Sequence, residues 1–381
     1  MSRARWTVFV SAAEASGDQH AAHLIRAIRR RAPDVRVVGV GGPEMAAAGC
    51  EILLDPTQRA SMTSGPLFDL WYWRRVVREA QAAIRDLRPQ LHVPVDSPAL
   101  NWHLAASAKS MGAKVFYYIA PQVWAWAPWR VKKVARLTDH VGCILPFEQR
   151  YLRHRGVEAT YVGHPLFDAL PPRPDPLPDL LDAYARGAWR MAVLPGSRPG
   201  EIRAHAPAFL DAARAVQRRW KKSRVTVAAP SERAAAAVRE ACGEPDLDVA
   251  AGRTGEVLAD SHFALSVSGT VTLEVAWFGL PMINVYKVGP LRYHLVGRWL
   301  IQTPHLSLPN ILAGRRLVPE LMPWHGRRGA VREAVLDVLD DLGWIVETRQ
   351  ALLELTDRLR LPEGRTASDN AARLALRTAG R

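Results

Sequence analysis

Cysteine is scarce in this sequence. Its three copies, Cys50, Cys143 and Cys242, lie far apart, and none has a second cysteine at the short spacing of a zinc knuckle or a redox pair. A disulfide framework is thereby excluded, and a reducing compartment is expected. Long apolar runs are missing as well. Residues 6–13 are apolar, but Glu14 and Asp18 follow at once; the run is too short for a signal-peptide core or for the roughly 20 residues that span a bilayer. The expectation is a soluble cytoplasmic protein. No Gly-Lys-Ser/Thr stands at Walker spacing, and no GxGxxG follows the first strand. His20 and His23 sit three apart on a helix without a third ligand nearby, so neither a metal nor another cofactor is expected. Acidic residues are in deficit: 37 Asp and Glu face 51 Lys and Arg, a net charge of +14 over 381 residues with His neutral. Such a balance points to an anionic partner or substrate, whether nucleic acid, lipid headgroup or phosphate.

What is present is an ordinary globular composition, 48% hydrophobic and 23% charged, which excludes disorder and coiled coil. Thr7 to Ala12 reads as a buried strand, Ser16-Gly17-Asp18 as a tight turn, and Ala21, Leu24, Ile25 and Ile28 as one face of a helix. Further strands are predicted at Val35–Val40, Leu91–Asp96, Val115–Ala120, Val141–Leu145 and Thr160–Val162. A second series follows at Met191–Leu194, Val225–Ala229, Phe263–Val267 and Pro281–Tyr286. Strands alternating with helices imply parallel pairing and right-handed crossovers, hence doubly wound α/β sheets. Residues 171–178 hold five prolines and read as a boundary. The organisation expected is a first domain over 1–170, a linker over 171–185, a second domain over 186–345 and a helical tail over 346–381, with both domains facing a shared cleft.

Two turns look suited to anions. Leu194-Pro195-Gly196-Ser197-Arg198 leaves a strand and enters a helix, where backbone N–H groups and the helix dipole form a cradle and Arg198 adds a two-pronged phosphate donor. An ordinary strand-to-helix turn fits the same residues. Ser268-Gly269-Thr270 repeats the pattern, with Glu274 one turn inside to accept from a ribose diol; helix capping is the alternative. Asp96, before Ser97-Pro98, is either a general base or a helix cap, and Glu14 and Asp18 face the same choice. His164 reads as a substrate contact or an orienting structural histidine. Trp124, Trp126 and Trp129 precede Arg130-Val131-Lys132-Lys133, a pattern of base stacking or of loop packing. Leu67, Phe68, Trp71 and Trp73 precede Arg74-Arg75 and suit either a membrane-facing helix or a buried one.

Together with Val38-Gly39-Val40-Gly41-Gly42-Pro43-Glu44-Met45, Pro146-Phe147-Glu148 and Ser307-Leu308-Pro309-Asn310, these motifs resemble, in order and over about 300 residues, those of lipid-A-disaccharide synthases. The resemblance implies an inverting glycosyltransferase of the GT-B type, with two Rossmann-like domains and a helical C-terminal tail. It implies transfer from UDP-2,3-diacylglucosamine to the 6-hydroxyl of 2,3-diacylglucosamine 1-phosphate, giving a β-1,6 disaccharide and UDP without a metal. It assigns catalysis to Asp96 and Arg198. UDP falls to Gly196, Ser197, Arg198, Ser268, Gly269, Thr270, Glu274 and Asn310, and the acceptor or cleft to Glu14, Ser16, Gly17, Asp18, Asn101, Trp124 and His164. It also implies the anionic inner face of the inner membrane as a peripheral partner, a homodimer, and no nucleic acid. The chain departs from the family pattern at Ala13, Pro94 and Ala99. Other readings are a different UDP-sugar transferase or an epimerase on the same fold, a basic nucleic-acid binder, and a peripheral membrane protein without catalysis.

Overall fold

The computed structural model describes residues 6–57, 66–125, 127–287 and 303–381, with backbone alone over 66–69. The chain divides into two compact units, Met1–Ala169 with Arg360–Arg381, and Leu170–Leu359.

In the first unit strands and helices alternate: β1 (Thr7–Ser11), α1 (Ala15–Arg31), β2 (Arg36–Val40), α2 (Pro43–Ala47), β3 (Glu51–Leu54), α3 (Pro66–Leu87), β4 (Leu91–Pro94), α4 (Pro98–Ser110), β5 (Lys114–Tyr118), α5 (Val131–Leu137), β6 (His140–Cys143), α6 (Pro146–Arg153) and β7 (Ala159–Tyr161). The seven strands run parallel in the order β3-β2-β1-β4-β5-β6-β7. Both faces are covered, so the central strands are apolar throughout: every residue of β1 and β4 is buried. The order reverses between β1 and β4, the place where open sheets of this kind leave a crevice beyond their carboxyl ends. The expected strand Leu91–Asp96 is shorter than predicted. Pro94 takes its last place, and Asp96 lies outside it in a left-handed turn with φ 49°.

The second unit repeats the plan with α7 (Leu180–Arg186), β8 (Arg190–Leu194), α8 (Pro199–Arg219), β9 (Arg224–Ala229), α9 (Glu232–Cys242), β10 (Val249–Ala251), α10 (Thr254–Ala259), β11 (Phe263–Val267), α11 (Val271–Trp277), β12 (Met282–Lys287), α12 (Leu308–Ala313), β13 (Glu320–Trp324), α13 (Arg328–Asp340) and α14 (Leu342–Asp357). Its sheet is parallel in the order β10-β9-β8-β11-β12-β13 and reverses between β8 and β11. The proline-rich stretch is strapped down: Trp277 donates to the Pro171 carbonyl at 3.0 Å, and Arg173 donates to the Trp277 carbonyl at 2.5 Å and pairs with Asp357 at 2.8 Å.

Helix α15 (Ala367–Thr378) returns to the first unit, where Ala371, Ala372, Ala375 and Leu376 join the core beside α1. Asp168 receives its first turn, accepting from the amides of Ala367 at 2.9 Å and Ser368 at 3.1 Å. Asp168 thus does the work of an N-cap from 199 residues away in sequence. Replacing Asp168 with Ala should cost about 1–2 kcal/mol, the usual range for a lost cap. Urea unfolding with amide exchange read over 367–378 tests this; unchanged stability and protection would refute the docking role.

Candidate active site

In the second unit, the two candidate anion turns follow β8 and β11, the adjacent strands at the reversal, paired Leu194 with Ser266. The sheet thus brings together Gly196-Ser197-Arg198 and Ser268-Gly269-Thr270. Gly196 has φ 119°, and a Cβ there would lie 2.9 Å from the Glu201 Cβ, so the tight turn requires glycine. Arg198 is the N-cap of the 21-residue α8. Glu201 reaches back, its Oε2 accepting from the Ser197 and Arg198 amides, both at 3.4 Å, and its Oε1 lying 3.5 Å from Arg198 Nη1. These contacts are long, and the Arg198 side chain is 69% exposed. The cradle is therefore shaped for an anion but only weakly filled by the chain's own carboxylate. Sequence reasoning gives Glu201 no role, although its place three residues after the N-cap is the available signal.

Below β11, Thr272 Oγ1 donates to the Gly269 carbonyl at 2.8 Å, closing the turn, while Gly269 and Thr270 stay exposed and a Cβ on Gly269 would meet open space. Ser268 Oγ faces the Leu306 carbonyl at 3.4 Å. Glu274 is half-buried, burial raises its pKa, and it forms no hydrogen bond or ion pair with another described side chain, which leaves its oxygens for a ligand. Asn310 stands differently. It is fully buried; its Oδ1 accepts from the Leu317 and Val318 amides at 2.7 and 2.9 Å, and its Nδ2 donates to the Val318 carbonyl at 2.8 Å and Glu320 at 2.7 Å. Every hydrogen-bonding capacity of that amide is used inside the fold. Glu320, absent from the sequence reading, collects Ser307 N and Oγ at 2.8 and 2.6 Å in the same knot.

In the first unit, Asp96 and Ser97 have φ 49° and 46°, two successive left-handed residues that are not glycine. Such conformations cost of order 1–3 kcal/mol each and need external support. Asn101 supplies it: fully buried on α4, its Nδ2 donates to the carbonyls of Asp96 at 2.6 Å, Val95 at 3.1 Å and Ser11 at 3.3 Å. Tyr117 Oη adds a bond to the Asp96 carbonyl at 2.8 Å, and the Asp96 amide donates to Tyr118 at 3.1 Å. Ser11 Oγ donates to Asn101 Oδ1 at 2.6 Å and so accepts from His92 Nε2 at 2.9 Å, which makes His92 a neutral donor. Burial lowers its pKa to about 3, in agreement. Ser97, not Asp96, is the N-cap of α4. The backbone around Asp96 is thus clamped while its partly exposed carboxylate stands beyond the carboxyl ends of β1 and β4.

The β1–α1 turn lies against the same place. A Cβ on Gly17 would sit 3.7 Å from the Val95 carbonyl, Ser16 is exposed, and Glu14 is the N-cap of α1 without a side-chain capping bond. Asp18 is committed elsewhere: almost fully buried, it accepts from the amides of Gly42 at 2.8 Å, Met45 at 3.1 Å and Glu44 at 3.0 Å, capping α2. A Cβ on Gly42 would lie 2.6 Å from its carboxylate. Trp124 is buried and donates to Glu148 at 2.8 Å, with Phe147 edge-on at 4.8 Å between ring centres. That fixes it as a wall rather than a stacking platform. His164, 5% exposed, accepts from the Leu166 amide at 3.2 Å through Nδ1 and is held neutral, its pKa lowered to about 3 by burial and by His20. On α3, Trp71 is 66% exposed, whereas Trp73 is half-buried against the core. The side chains of Leu67 and Phe68, and Trp126, lie outside the described residues. No group of three or more His, Cys, Asp or Glu able to hold a metal, and no helix long and apolar enough to cross a membrane, occurs among the described residues.

The profile of the lipid-A-disaccharide synthetase family matches residues 8–350. The lipid-A-disaccharide synthase of Syntrophus aciditrophicus is 34% identical over 97% of this chain and 97% of its own. Among solved structures, MurG of Acinetobacter baumannii superposes with a TM-score of 0.53 at 12% identity, covering 98% of this chain and 99% of that one. The UDP-GlcNAc 2-epimerase of Neisseria meningitidis gives 0.57 at 10% identity, covering 98% of each. These likenesses make the two parallel-sheet units a GT-B fold.

His92 and His164 ordinarily titrate near 6.5 and are lowered to about 3 here. Their contribution to stability is full above pH 6.5 and is lost as pH falls toward 3, by up to about 1.4 kcal/mol per unit for each histidine. Unfolding free energy should therefore drop by about 2 kcal/mol per histidine between pH 6.5 and 5. Imidazole carbon shifts should stay at neutral-form values at pH 5; protonated-form shifts there would refute the assignment.

Proposed function

This chain belongs to the lipid-A-disaccharide synthase family, and from that premise we propose how its residues divide the work between two substrates. The family activity is glycosyl transfer that builds the lipid A disaccharide from a UDP-sugar donor and a glucosamine-based acceptor. In our reading the donor is UDP-2,3-diacylglucosamine and the acceptor is 2,3-diacylglucosamine 1-phosphate. What carries this reading is the pairing of β8 with β11, which sets two small-residue turns side by side at the reversal of the second sheet.

The amides of Ser197 and Arg198 and the Arg198 guanidinium receive the diphosphate, displacing the loosely held Glu201 carboxylate. Ser268, Gly269 and Thr270 line the approach, and Glu274 accepts from the ribose. Asn310 acts by holding its loop rather than by touching UDP. Asp96 takes the proton of the acceptor 6-hydroxyl as that oxygen attacks the anomeric carbon from the face opposite UDP. The carbon–oxygen bond to the diphosphate breaks, its electron pair leaves with UDP, and the anomeric configuration inverts. Charge growing on the leaving oxygen meets donors already in place, which lowers the barrier without reorganisation. No metal is assigned a role in these steps.

Asp96→Asn and Arg198→Ala should each lower turnover about a hundredfold or more with the fold intact. Mass analysis for a tetra-acyl disaccharide after incubation with both acyl sugars reads the activity itself, and its absence with wild-type protein would overturn the reading. A rate near wild type in either variant would remove that residue from the mechanism.

Acylated substrates place the reaction at a lipid surface, and we assign the inner face of the inner membrane as that surface. Exposed Leu70 and Trp71 on α3, beside Arg74 and Arg75, support shallow insertion at an anionic interface. Leu70→Ser with Trp71→Ser should weaken association with anionic vesicles several-fold more than UDP binding; equal losses would mark a structural role. The family resemblance also carries the expectation of a homodimer, which light scattering reads directly.

A further inference from the structure

The segment that follows β5 holds four cations, Arg130, Lys132, Lys133 and Arg136, and no acidic residue between positions 124 and 137. None of the four forms an ion pair with a carboxylate among the described residues. Two of them converge on one ring: Lys133 Nζ lies 4.1 Å from the centre of Trp102, and Arg130 Cζ lies 5.5 Å from it. An aromatic face attracts each cation, but it leaves their mutual repulsion unneutralised. That strain registers on Lys133, whose pKa is lowered by burial and by Arg136 and Arg130. Exposed Trp129 adjoins the cluster.

The location matters as much as the charge. Trp102 sits on the second turn of α4, six residues after Asp96, and packs between the core beneath α3 and the core beneath α5. Arg130 ends the connection that leaves the carboxyl end of β5, the end of the sheet at which Asp96 leaves β4, and Lys133 follows on the first turn of α5. Convergent cations over one ring, with no carboxylate partner among the described residues, match a compact dianion. A phosphate monoester carries about −1.5 to −2 charges at neutral pH. Arginine supplies a planar fork for two of its oxygens and lysine a point charge for the third.

We propose that Arg130 and Lys133, gathered over Trp102, bind the anomeric phosphate of the acceptor and thereby orient its 6-hydroxyl toward Asp96. The assignment rests on the transferase reading for the identity of the acceptor. The donor's phosphates are diesterified and fall to the second unit, so a terminal phosphate enters the reaction on the acceptor alone. Under this assignment both residues are positioning residues, because neither touches the reacting atoms.

The test measures equilibrium binding of 2,3-diacylglucosamine 1-phosphate and of its dephosphorylated analogue to the full-length protein, in neutral detergent micelles without donor. Wild type should prefer the phosphorylated sugar by at least about tenfold, as charge-assisted bonds of this kind imply. Arg130→Gln with Lys133→Gln should abolish that preference while UDP affinity and melting temperature stay unchanged, and Lys133→Arg should retain it. No preference in wild type, or a preference surviving the double substitution, overturns the proposal. So does a loss seen only on anionic vesicles and absent in neutral micelles, which would mark general membrane attraction, or equal competition by an oligonucleotide. Adding donor separates the two readings: preserved phosphate discrimination with no disaccharide formed would sink the transferase assignment and leave the phosphate site standing.

Discussion

The buried amide of Asn101 is the constraint on which the crevice of the first unit rests. It gathers the end of β1, the end of β4 and the start of α4 by binding the carbonyls of Ser11, Val95 and Asp96. Without it, two consecutive left-handed residues at Asp96 and Ser97 would relax toward ordinary backbone, and the carboxylate would turn away from the crevice that sheet reversal provides. His92, Ser11 and Tyr117 extend this support into the core, a polar network tolerated because nearly every member is satisfied. The neutral state of His92 belongs to the same arrangement, since a charged imidazole would have no anion to meet there.

The second unit solves a different problem with similar means. Its frame is closed, as the knot of Asn310, Ser307 and Glu320 shows, whereas the Ser197 and Arg198 amides meet the Glu201 carboxylate only at 3.4 Å. Glu201 keeps those amides from being wholly unpaired through contacts long enough for the diphosphate of the proposed reaction to displace it. A saturated scaffold beneath unsaturated donors is what preorganised charge stabilisation requires.

Much of this was legible in the sequence. The central strands are continuous apolar runs, and all ten predicted segments start within one residue of where the structure starts them, because burial on both faces writes itself into composition. Strands β3 and β13 escaped notice because they lie at sheet edges with most of their residues only half-buried or exposed, and β10, also at an edge, is only three residues long. The two candidate anion turns were recognisable as strand-to-helix turns from their small residues, and the pairing of β8 with β11 sets them side by side. The roles of Asp18 and Asn310 were not, because a carboxylate that caps a distant helix and one that faces a ligand look alike until the amides around it are placed. Nor could periodicity separate Trp71 from Trp73: both sit on one helix, and only the packing of α3 on the core turns one outward. Asp96 stood out as a candidate before Ser97-Pro98, but the left-handed backbone that presents it did not, since no glycine announces it.

Because α15 belongs to the first unit, the second unit is in effect an insertion within it, and the polypeptide passes between them twice. During synthesis the nascent first unit therefore waits, its α1 face bare and Asp168 uncapping nothing, until all of residues 170–359 have emerged and the last helix follows. The ribosome thus delivers the second module free to close on its own before the first can be sealed, an order of events written into connectivity rather than into any local propensity.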